Sequence, residues 1–470
     1  MSNIDNAPAP TTHAGPHHEH EGGHALTAEL TAAIFDAIAR ADTIAAHRLM
    51  SPLPAPDQAE LFEQLSHEER RWLTDALAGD FDSEMLAELS PEAAEDVIEA
   101  LGTEKSVEAL AELETDDAVH ILEDLGPAEQ LELLEGMSLE MREDIEESLT
   151  YEAESAGRLM RKALVAVPEF WSVGDTIDFL RAADELPEYF YVIYTVNAAF
   201  VPTGRVMLGS VLGHKRDVPL EQIRQTNLYA VAADTDQEEV AYLFRKYGLV
   251  ETPVINHDGV LVGTITVDDV VDVLVEEDEE DYLRAGGVAG SDFQSSVWQA
   301  VQARFGWLFV NLLTAVLASA IIAIFEQTIE KVVALALMMP MVASMGGNTG
   351  TQTVTVAVRA IATRQLNDAN SRAYILKEMR IGFLNGLGLG LIMAAGVFIL
   401  FSDLKLALVM LLAATGTMTM AGLWGALIPI FLHRRGFDPA ISSTIFLTTV
   451  TDSVGFFSFL GLATIILLAV

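Results

Sequence analysis

Three oxygen-bearing side chains lie at intervals of four residues near the C-terminus: Thr444, Thr448 and Asp452. Residues four apart share one face of a helix, so a helix here would carry two hydroxyls and one carboxylate in a single stripe. Oxygen ligands favour hard cations such as Mg²⁺, and the lack of His and Cys in the stripe disfavours zinc and copper. The stripe therefore predicts contact with a hard cation.

The surroundings of Asp452 are apolar. Five uncharged or nearly uncharged stretches are long enough to cross a hydrocarbon layer of about 30 Å, which needs about 20 helical residues. They are residues 305–325, 332–358, 381–402, 406–432 and 440–470, and Asp452 is the only ionisable residue in them. A carboxylate at membrane depth is costly unless it faces protein, water or a cation. The alternatives to a cation site are a neutral Asp bonded to a neighbouring helix and a shallow interfacial residue.

The second stretch contains residues that lipid solubility does not require. Pro340 is followed by Gly346-Gly347-Asn348-Thr349-Gly350 and by Gln352. Proline removes a backbone donor and glycine permits non-helical dihedral angles, so we expect a break in this helix. Broken backbone at membrane depth is tolerated where it lines a wet cavity. Small-residue packing also explains glycines, although it does not require the carboxamides of Asn348 and Gln352.

The charge of the chain divides it into two parts. The 470 residues carry 69 acids and 27 bases, yet residues 301–470 hold only 7 acids and 10 bases. The first 300 residues therefore have a net charge of −45, which attracts cations and repels nucleic acid. We expect an acidic cytoplasmic module fused to a membrane module, without a nucleic-acid partner. No arrangement of nucleophile, base and oxyanion donors indicates an enzyme.

The loops between the spans predict the orientation of the membrane module. Most of the loop bases lie between spans two and three or between spans four and five: Arg359, Arg364, Arg372, Lys377, Arg380, Arg434 and Arg435. Short cytoplasmic loops collect such bases. The first 25 residues are polar and His-rich, not a signal peptide. We therefore expect the N-terminus in the cytoplasm and the C-terminus outside.

The acidic half begins with a repeat. Apolar residues recur twelve apart at Leu65, Leu77, Leu89, Leu101, Leu113, Leu125, Met137 and Leu149. Helix-start signals follow several of them, as in Ser90-Pro91-Glu92, where Ser can cap a helix and Pro fits its first turn. We predict one short helix per repeat, each stacked on its neighbour in an all-α superhelix. Its acidic surface is compatible with cation sensing and equally with a solvated or docking face.

Two later units, around residues 191–206 and 251–269, both read as strand, turn, strand and helix. This duplication resembles a tandem pair of CBS domains, which have an α/β fold. Thr266 and Asp269 match the Thr and Asp with which such domains hold an adenosine ribose, whereas we place Leu212 and Lys215 at the corresponding positions of the first unit. The resemblance implies that ATP or another adenine nucleotide binds mainly to the second unit.

The second unit leads into six consecutive acids, residues 276–281. Such a run repels itself, so we expect disorder unless divalent cations neutralise it. An amphipathic segment that contains Trp298 then leads to the first span and is predicted to lie at the membrane surface.

The order of these parts resembles the MgtE family of bacterial magnesium channels and transporters. The resemblance rests on Gly346-Gly347-Asn348-Thr349-Gly350-x-Gln352, on residues 235–241 and on Asp438-Pro439-Ala440. It implies a multidomain protein with an all-α acidic superhelical N-domain (26–150), an α/β tandem CBS pair (151–280), a connecting or plug helix (281–303) and a five-helix transmembrane domain (304–470). The His-rich tail (1–25) matches nothing in the family core, and we expect it to be disordered.

The resemblance also implies a homodimeric Mg²⁺ channel for magnesium uptake across the bacterial inner membrane, closed by cytosolic Mg²⁺. The implied pore residues are Asp452, Thr448, Thr444 and Asn348, with Thr444 at a position where the family often has Asn. The implied Mg²⁺-sensing residues are Asp269, Asp272, Glu277, Glu280 and Asp281. A gradient-driven carrier or exporter of Co²⁺, Mn²⁺ or Mg²⁺ is the alternative within transport. A membrane-tethered nucleotide sensor, whose spans only anchor it, is the alternative from another class.

Overall fold

The computed structural model describes residues 26–77, 79, 81–183, 186–187, 189–288, 297–437 and 439–468, with the backbone alone for Ala285 and residues 440–444. The chain divides into two compact units, Met1–Leu274 and Val275–Val470. The His-rich tail, Asp438 and residues 289–296 of the predicted connecting helix lie outside the described residues. The domain boundaries given above stay predictions.

Short helices around one apolar core open the first unit. They are α1 (Ala28–Ala39), α2 (Thr43–Met50), α3 (Ala55–Glu63), α4 (His67–Leu77), α5 (Glu84–Ala87), α6 (Pro91–Leu101), α7 (Thr103–Glu112), α8 (Thr115–Asp124), α9 (Pro127–Gly136) and α10 (Leu139–Ser148). The apolar residues spaced twelve apart all lie in this core or pack against it. Helix α6 begins at Pro91, where the Ser90-Pro91-Glu92 signal predicts a start, and α7 and α8 begin at Thr103 and Thr115.

From α3 onward, the main stacking partner of a helix in this superhelix is the next helix but one, whereas α1 packs against α2. Helix α3 packs against α5, α4 against α6, α7 against α9 and α8 against α10. Side chains link the same layers: Ser90 Oγ donates to Glu63 Oε2 at 2.9 Å, and Thr103 Oγ1 donates to Glu132 Oε1 at 2.7 Å. The prediction that each helix stacks on its immediate neighbour is therefore wrong. The structural repeat is therefore a pair of helices. The period of twelve residues in the sequence corresponds to one helix of each pair.

The first unit continues with two small α/β modules. Their elements are α11 (Ala156–Leu159), β1 (Ala166–Pro168), α12 (Val173–Ala182), β2 (Val192–Val196), β3 (Pro202–Met207), α13 (Leu208–Gly213), α14 (Leu220–Ile223), β4 (Val231–Ala232), α15 (Gln237–Tyr247), β5 (Glu251–Ile255), β6 (Leu261–Thr266) and α16 (Val267–Ala285). Strand order is β1-β2-β3 in one sheet and β4-β5-β6 in the other, with a parallel pair followed by an antiparallel pair in both. The shared topology confirms the predicted duplication.

The register of the two hairpins corrects one assignment. Val192 pairs with Met207 in the first module, as Glu251 pairs with Thr266 in the second. Met207 and Ser210 therefore occupy the places of Thr266 and Asp269. The assignment of Leu212 and Lys215 to those places is wrong because α13 begins directly after β3, just as α16 begins directly after β6. The first module still lacks the Thr and Asp pair.

The acidic junction is helical in the structure. Helix α16 runs without interruption from Val267 to Ala285 and includes all six consecutive acids, so the expected disorder is wrong. Val270 and Val273 pack in the core of the second module and anchor the start of the helix. Extending a formed helix is much easier than nucleating one, which offsets the repulsion between the acids. Arg284 adds an ion pair with Glu280, one turn away.

The second unit is a helical bundle. Its elements after α16 are α17 (Val297–Ile324), α18 (Glu326–Lys331), α19 (Ala334–Ala362), α20 (Ser371–Phe401), α21 (Leu404–Arg434), α22 (Pro439–Ala463) and a π-helical turn, Thr464–Leu468. The predicted spans coincide with α17, α19, α20, α21 and α22. Within the described residues, four helices are long and apolar enough to cross a membrane: α17, α20, α21 and Ile445–Leu468. Helix α19 is as long but less apolar, because it carries Asn348, Thr349 and Gln352.

Helix α19 continues through Pro340 and through the glycine-rich segment, so the predicted break is wrong. A Cβ atom at Gly346 would lie 2.7 Å from Thr417 Cγ2 of α21, and one at Gly350 would lie 2.7 Å from Leu447 Cδ1 of α22. At these distances a side chain at either position would require Thr417 or Leu447 to move. The glycines thus allow close helix packing, which was the alternative explanation for them.

Candidate cation and nucleotide sites

Arg161 joins the superhelix to the second α/β module. Its guanidinium contacts Glu114 Oε2 at 2.5 Å and Asp116 Oδ2 at 3.1 Å, both in the superhelix. It also contacts Asp268 Oδ2 at 3.0 Å and Asp269 Oδ1 at 2.5 Å, at the start of α16. Its side chain is only 12% exposed. One buried cation therefore compensates carboxylates from two domains.

Two neighbouring bases strengthen this junction. Arg158 forms an ion pair with Glu123, and Lys162 Nζ lies 2.9 Å from Glu147 Oε2. Our sequence analysis missed these contacts. The signal that could have found them is three bases within five residues, in a half of the chain that is otherwise strongly acidic.

The carboxylates at this junction outnumber the positive charges. Asp116 is 7% exposed, and its Oδ1 atom has no hydrogen-bond partner among the residues that the structure describes. Burial, followed by the charge of Asp269, raises the pKa of Asp116 well above its ordinary value. Burial also raises the pKa of Asp117 to about 6, although Arg161 opposes this shift. Binding of a proton or a further cation is therefore favourable here.

Asp272, one of the predicted sensing residues, lies near enough to Glu88 of the superhelix for its charge to raise the pKa of Glu88. Burial raises the pKa of Asp272, and the charges of Asp269 and Asp268 add to this shift. Burial likewise raises the pKa of Glu88, with Asp272 as the next cause. A divalent cation between the two carboxylates would replace repulsion by attraction. Our sequence analysis missed Glu88, because its proximity to Asp272 is a property of the tertiary fold.

The other predicted sensing residues lie farther along α16. Glu280 pairs with Arg284, and Glu277 and Asp281 occupy the last turns of the helix. In the described part of the chain, no three His, Asp or Glu side chains already have the arrangement of a metal site. Sensing by these residues therefore stays a prediction.

A cavity of about 350 Å³ opens beside Arg161. It is lined by Arg161, Tyr189, Tyr191, Thr266, Val267, Asp268 and Val271. Its volume lies at the lower end of the range for small-molecule sites. Two aromatic rings, one guanidinium and one carboxylate suit a ligand that has a flat ring, hydroxyls and an anionic group.

Thr266 and Asp269 form the pair that the sequence predicts. The hydroxyl of Thr266 donates to Asp269 Oδ2 at 2.6 Å, and the backbone N–H of Thr266 donates to the same oxygen at 3.1 Å. The other oxygen of Asp269 accepts from Arg161. Both oxygens of Asp269 therefore already accept hydrogen bonds within the protein. The carboxylate that lines the cavity is that of Asp268.

Glu251 fixes the strand that carries one wall of the cavity. Its side chain is 2% exposed, and its Oε2 atom accepts from the backbone N–H groups of Tyr191 and Val192, both at 3.2 Å. Thr264 Oγ1 donates to Glu251 Oε1 at 3.1 Å. Burial raises the pKa of Glu251. The residue was missed in the sequence because a single Glu at the start of a strand has no distinctive pattern.

The predicted pore residues lie on two helices of the second unit. Asp452 of α22 is half-buried, whereas Thr448 of α22 and Asn348 of α19 are exposed. The side chain of Thr444 lies outside the described part of the chain. No hydrogen bond joins Asn348 to Asp452 in the described residues. In a single chain these polar groups therefore lie at the surface of an otherwise apolar bundle.

Three family models match the chain. A divalent cation transporter model matches residues 339–462, an MgtE intracellular N domain matches residues 53–154, and a CBS domain matches residues 220–276. The magnesium transporter MgtE of Thermus thermophilus is 36% identical over 337 residues, which are 70% of this chain and 74% of the relative. The chain belongs to the MgtE family.

A second curated relative agrees with this membership. The magnesium transporter MgtE of Bacillus subtilis is 31% identical over 318 residues, which are 67% of this chain and 70% of that protein. The solved cytosolic domain of the Mg²⁺ channel MgtE in complex with ATP has 31% identity and a TM-score of 0.48, and covers 52% of this chain and 99% of that one.

Membership of the MgtE family confirms several predictions. The multidomain architecture, with an all-α N-domain, a CBS module and apolar C-terminal helices, agrees with the family models and the structure. The matched MgtE proteins are magnesium transporters and not enzymes, the class that the sequence predicts.

Proposed function

We propose that this MgtE-family protein is a homodimeric, Mg²⁺-selective channel that mediates magnesium uptake across the bacterial inner membrane. The observation that carries this proposal is the presence of a half-buried Asp452 and an exposed Thr448 on α22, and of an exposed Asn348 on α19, which packs against α22. A carboxylate facing lipid at this depth is costly. A second copy of the chain would cover this surface and turn it into a polar path.

The chemistry of this surface suits hydrated Mg²⁺. Mg²⁺ gives up its water reluctantly, so a pore is expected to hold the ion mostly through its hydration shell. Two Asp452 carboxylates from a dimer would compensate the charge of the ion, while threonine and asparagine oxygens contact its waters. We propose Asp452, Thr448, Thr444 and Asn348 as the pore residues.

We further propose that cytosolic Mg²⁺ closes this channel by binding to the acidic domains. The Asp272 and Glu88 carboxylates and the uncompensated acids around Asp116 favour a state with a bound cation. A ligand shifts a conformational equilibrium by its difference in affinity for the two states. Mg²⁺ bound at such contacts favours the compact state, which we assign to the closed channel. Asp269, Glu277, Glu280 and Asp281 are the other proposed sensing residues.

Single-channel recording from the full chain in a planar bilayer tests the proposed function. We expect unitary Mg²⁺ currents that stop when Mg²⁺ on the cytoplasmic side is raised to millimolar levels. A gradient-driven carrier would instead move Mg²⁺ without resolvable unitary currents. Closure by Mg²⁺ from the side of the C-terminus alone would contradict the proposed orientation, with the N-terminus in the cytoplasm and the C-terminus outside.

We also propose that ATP or another adenine nucleotide occupies the cavity beside Arg161. Tyr189 and Tyr191 would contact the adenine ring, and Arg161 would contact a phosphate. The Thr266 and Asp269 pair forms the edge where a ribose hydroxyl would bind.

Replacing Asp269 by Ala is expected to weaken nucleotide binding about tenfold, because Asp269 accepts hydrogen bonds from Thr266 and Arg161 and so positions two residues that line the cavity. Calorimetric titration of the full chain in detergent, at constant Mg²⁺, measures this effect with ATP and with AMP. Ser210→Ala is the matched control, since Ser210 holds the equivalent place in the first module. Wild-type protein that releases no heat with either nucleotide at millimolar concentration would contradict the proposal.

A further inference from the structure

Three of the bases that the sequence assigns to a loop lie in helix α20. Arg372, Lys377 and Arg380 belong to its first three turns, and all three side chains are exposed. Within the described residues none of them forms an ion pair, whereas Arg434 at the same end of the bundle has its Nε atom 2.8 Å from Asp368 Oδ1. The proposed pore and the acidic domains use none of the three. Their charge is therefore available to a ligand outside the chain.

Helix α20 has one face packed in the bundle and one exposed face. On the packed face, a Cβ atom at Gly386 would lie 2.8 Å from Thr415 Cα of α21. Glu378, eight residues earlier, is buried as well and accepts a hydrogen bond from Thr353 Oγ1 of α19 at 3.3 Å. Over the stretch of α20 that is apolar enough to cross a membrane, 17% of the residues are buried, against 56% in α21. The outward face of α20 is therefore in position to contact lipid.

The exposed face of α20 is basic at one end and apolar along the rest. Lys377, Arg380 and Leu384 follow one another at intervals of three and four residues, so they lie on one side of the helix. Leu387 and Leu391 continue this stripe, and all three leucines are exposed. Side chains three residues apart have Cβ atoms about 5–6 Å from each other, so one phosphate can contact both Lys377 and Arg380.

This arrangement suits a ligand with an anionic head and apolar tails. Bases at the end of a spanning helix lie at the depth of lipid headgroups and attract those that carry negative charge. A free phosphate would use the bases but not the leucines beside them. A second copy of the chain fits this face poorly, because a two-fold interface here would bring the bases of both copies together. The ligand that matches both parts of the face is an anionic phospholipid.

We propose that the outward face of α20 is a binding site for one anionic phospholipid. Lys377 and Arg380 bind its phosphate, Arg372 adds a third positive charge, and its acyl chains lie along Leu384 and Leu387. The first 300 residues carry a net charge of −45 and are repelled by an anionic membrane surface, so attraction to such lipids has to come from bases of the membrane half. The proposal needs a membrane-spanning bundle and rests on neither the proposed pore nor its closure by Mg²⁺.

The test measures the lipid that the full chain retains. The protein is released for native mass spectrometry from nanodiscs that contain phosphatidylglycerol and phosphatidylcholine in equal amounts. Wild type is expected to retain phosphatidylglycerol in preference. Lys377→Gln with Arg380→Gln is expected to lower the ratio of bound phosphatidylglycerol to bound phosphatidylcholine about 25-fold, because each base near an anionic headgroup contributes about fivefold. Lys331→Gln with Lys405→Gln, two exposed bases at the opposite end of the bundle, is the matched control and is expected to keep the wild-type ratio.

A competition experiment distinguishes a lipid from a soluble phosphate. Glycerol 3-phosphate has an anionic head like that of the lipid but no acyl chains, so at millimolar concentration it is expected to leave phosphatidylglycerol bound. Displacement of the lipid by glycerol 3-phosphate would contradict the proposal and indicate a site for soluble phosphates. Arg380→Lys keeps the positive charge and is expected to keep most of the preference for phosphatidylglycerol.

Three further results would overturn the proposal. One is equal retention of the two lipids by wild type. Another is an equal loss of phosphatidylglycerol in the α20 double variant and in its control, because general surface charge would then explain the binding. The third is a change in the oligomeric mass of the α20 double variant at an unchanged lipid ratio, which would make this face an interface between copies. Mg²⁺ flux does not enter these measurements, so a chain without flux would refute only the proposed function.

Discussion

Replacing Asp452 by Ala is expected to abolish Mg²⁺ uptake while leaving a folded protein. Asp452 is half-buried on α22 and carries the negative charge of the proposed pore surface. Without it, a divalent cation at membrane depth would lose its compensating charge. A loss of about 3 kcal/mol would lower flux about a hundredfold. Uptake of Mg²⁺ into Mg²⁺-depleted liposomes containing the full chain measures this effect.

Two further variants sharpen this test. Asp452→Asn keeps the size of the side chain and removes only its charge, so we expect it to be as inactive as Asp452→Ala. Glu326→Ala removes an exposed acid from the short helix α18 and is expected to leave uptake unchanged. Wild-type flux in Asp452→Asn would show that the carboxylate charge is not needed. Asp452 would then be a neutral, hydrogen-bonded residue of the bundle.

Replacing Asp272 by Asn is expected to raise the cytosolic Mg²⁺ concentration needed for closure, without reducing conduction. The substitution removes one of two neighbouring carboxylates, so repulsion falls, but so does the affinity of the compact state for Mg²⁺. The second effect decides the Mg²⁺ response, because an ion shifts the equilibrium only by its difference in affinity for the two states. A coupling of about 1.4 kcal/mol corresponds to a tenfold shift. Macroscopic Mg²⁺ currents at increasing cytosolic Mg²⁺ measure this shift.

The control for this experiment matches the change in charge. Asp258→Asn removes the same charge from the turn between β5 and β6 and is expected to leave the closing concentration unchanged. Glu88→Gln is expected to act like Asp272→Asn, and the double variant little more than either one, because both acids would bind one ion. Additive shifts would mean that the two residues act independently. An unchanged closing concentration in all three variants would place Mg²⁺ sensing elsewhere.

Arg161 reduces the number of carboxylates that Mg²⁺ would have to compensate in the proposed closing mechanism. A guanidinium already holds four carboxylates of the superhelix and α16 together, without a divalent ion. Part of the attraction between these domains is therefore built into the chain. Mg²⁺ has to compensate only the remaining acids, among them Asp117, whose pKa burial raises to about 6, and the Asp272 and Glu88 pair. Ion binding at such groups displaces protons, so low pH is expected to weaken the Mg²⁺ response.

The sequence by itself determined the features that depend on local patterns. Hydropathy predicted where the long helices lie, and charge divided the chain into an acidic and a membrane part. The Ser-Pro pair before α6 predicted the start of that helix, and the strand pattern predicted the duplicated α/β module. Thr266 and Asp269 were selected because they match the Thr and Asp of CBS domains, and in the structure they form a hydrogen bond with each other. Each of these signals is contained in a continuous stretch of the sequence.

The tertiary structure decided the features that depend on which elements pack together. Arg161 and Asp269 meet across more than one hundred residues, and no spacing in the sequence indicates that contact. Whether the glycines of α19 break the helix or allow close packing depends on Thr417 and Leu447, which belong to other helices. Glu378 looks like an interfacial acid in the sequence and is buried only because α19 and α21 close around it. Burial and charge compensation arise from contacts between distant parts of the chain, and local patterns do not contain them.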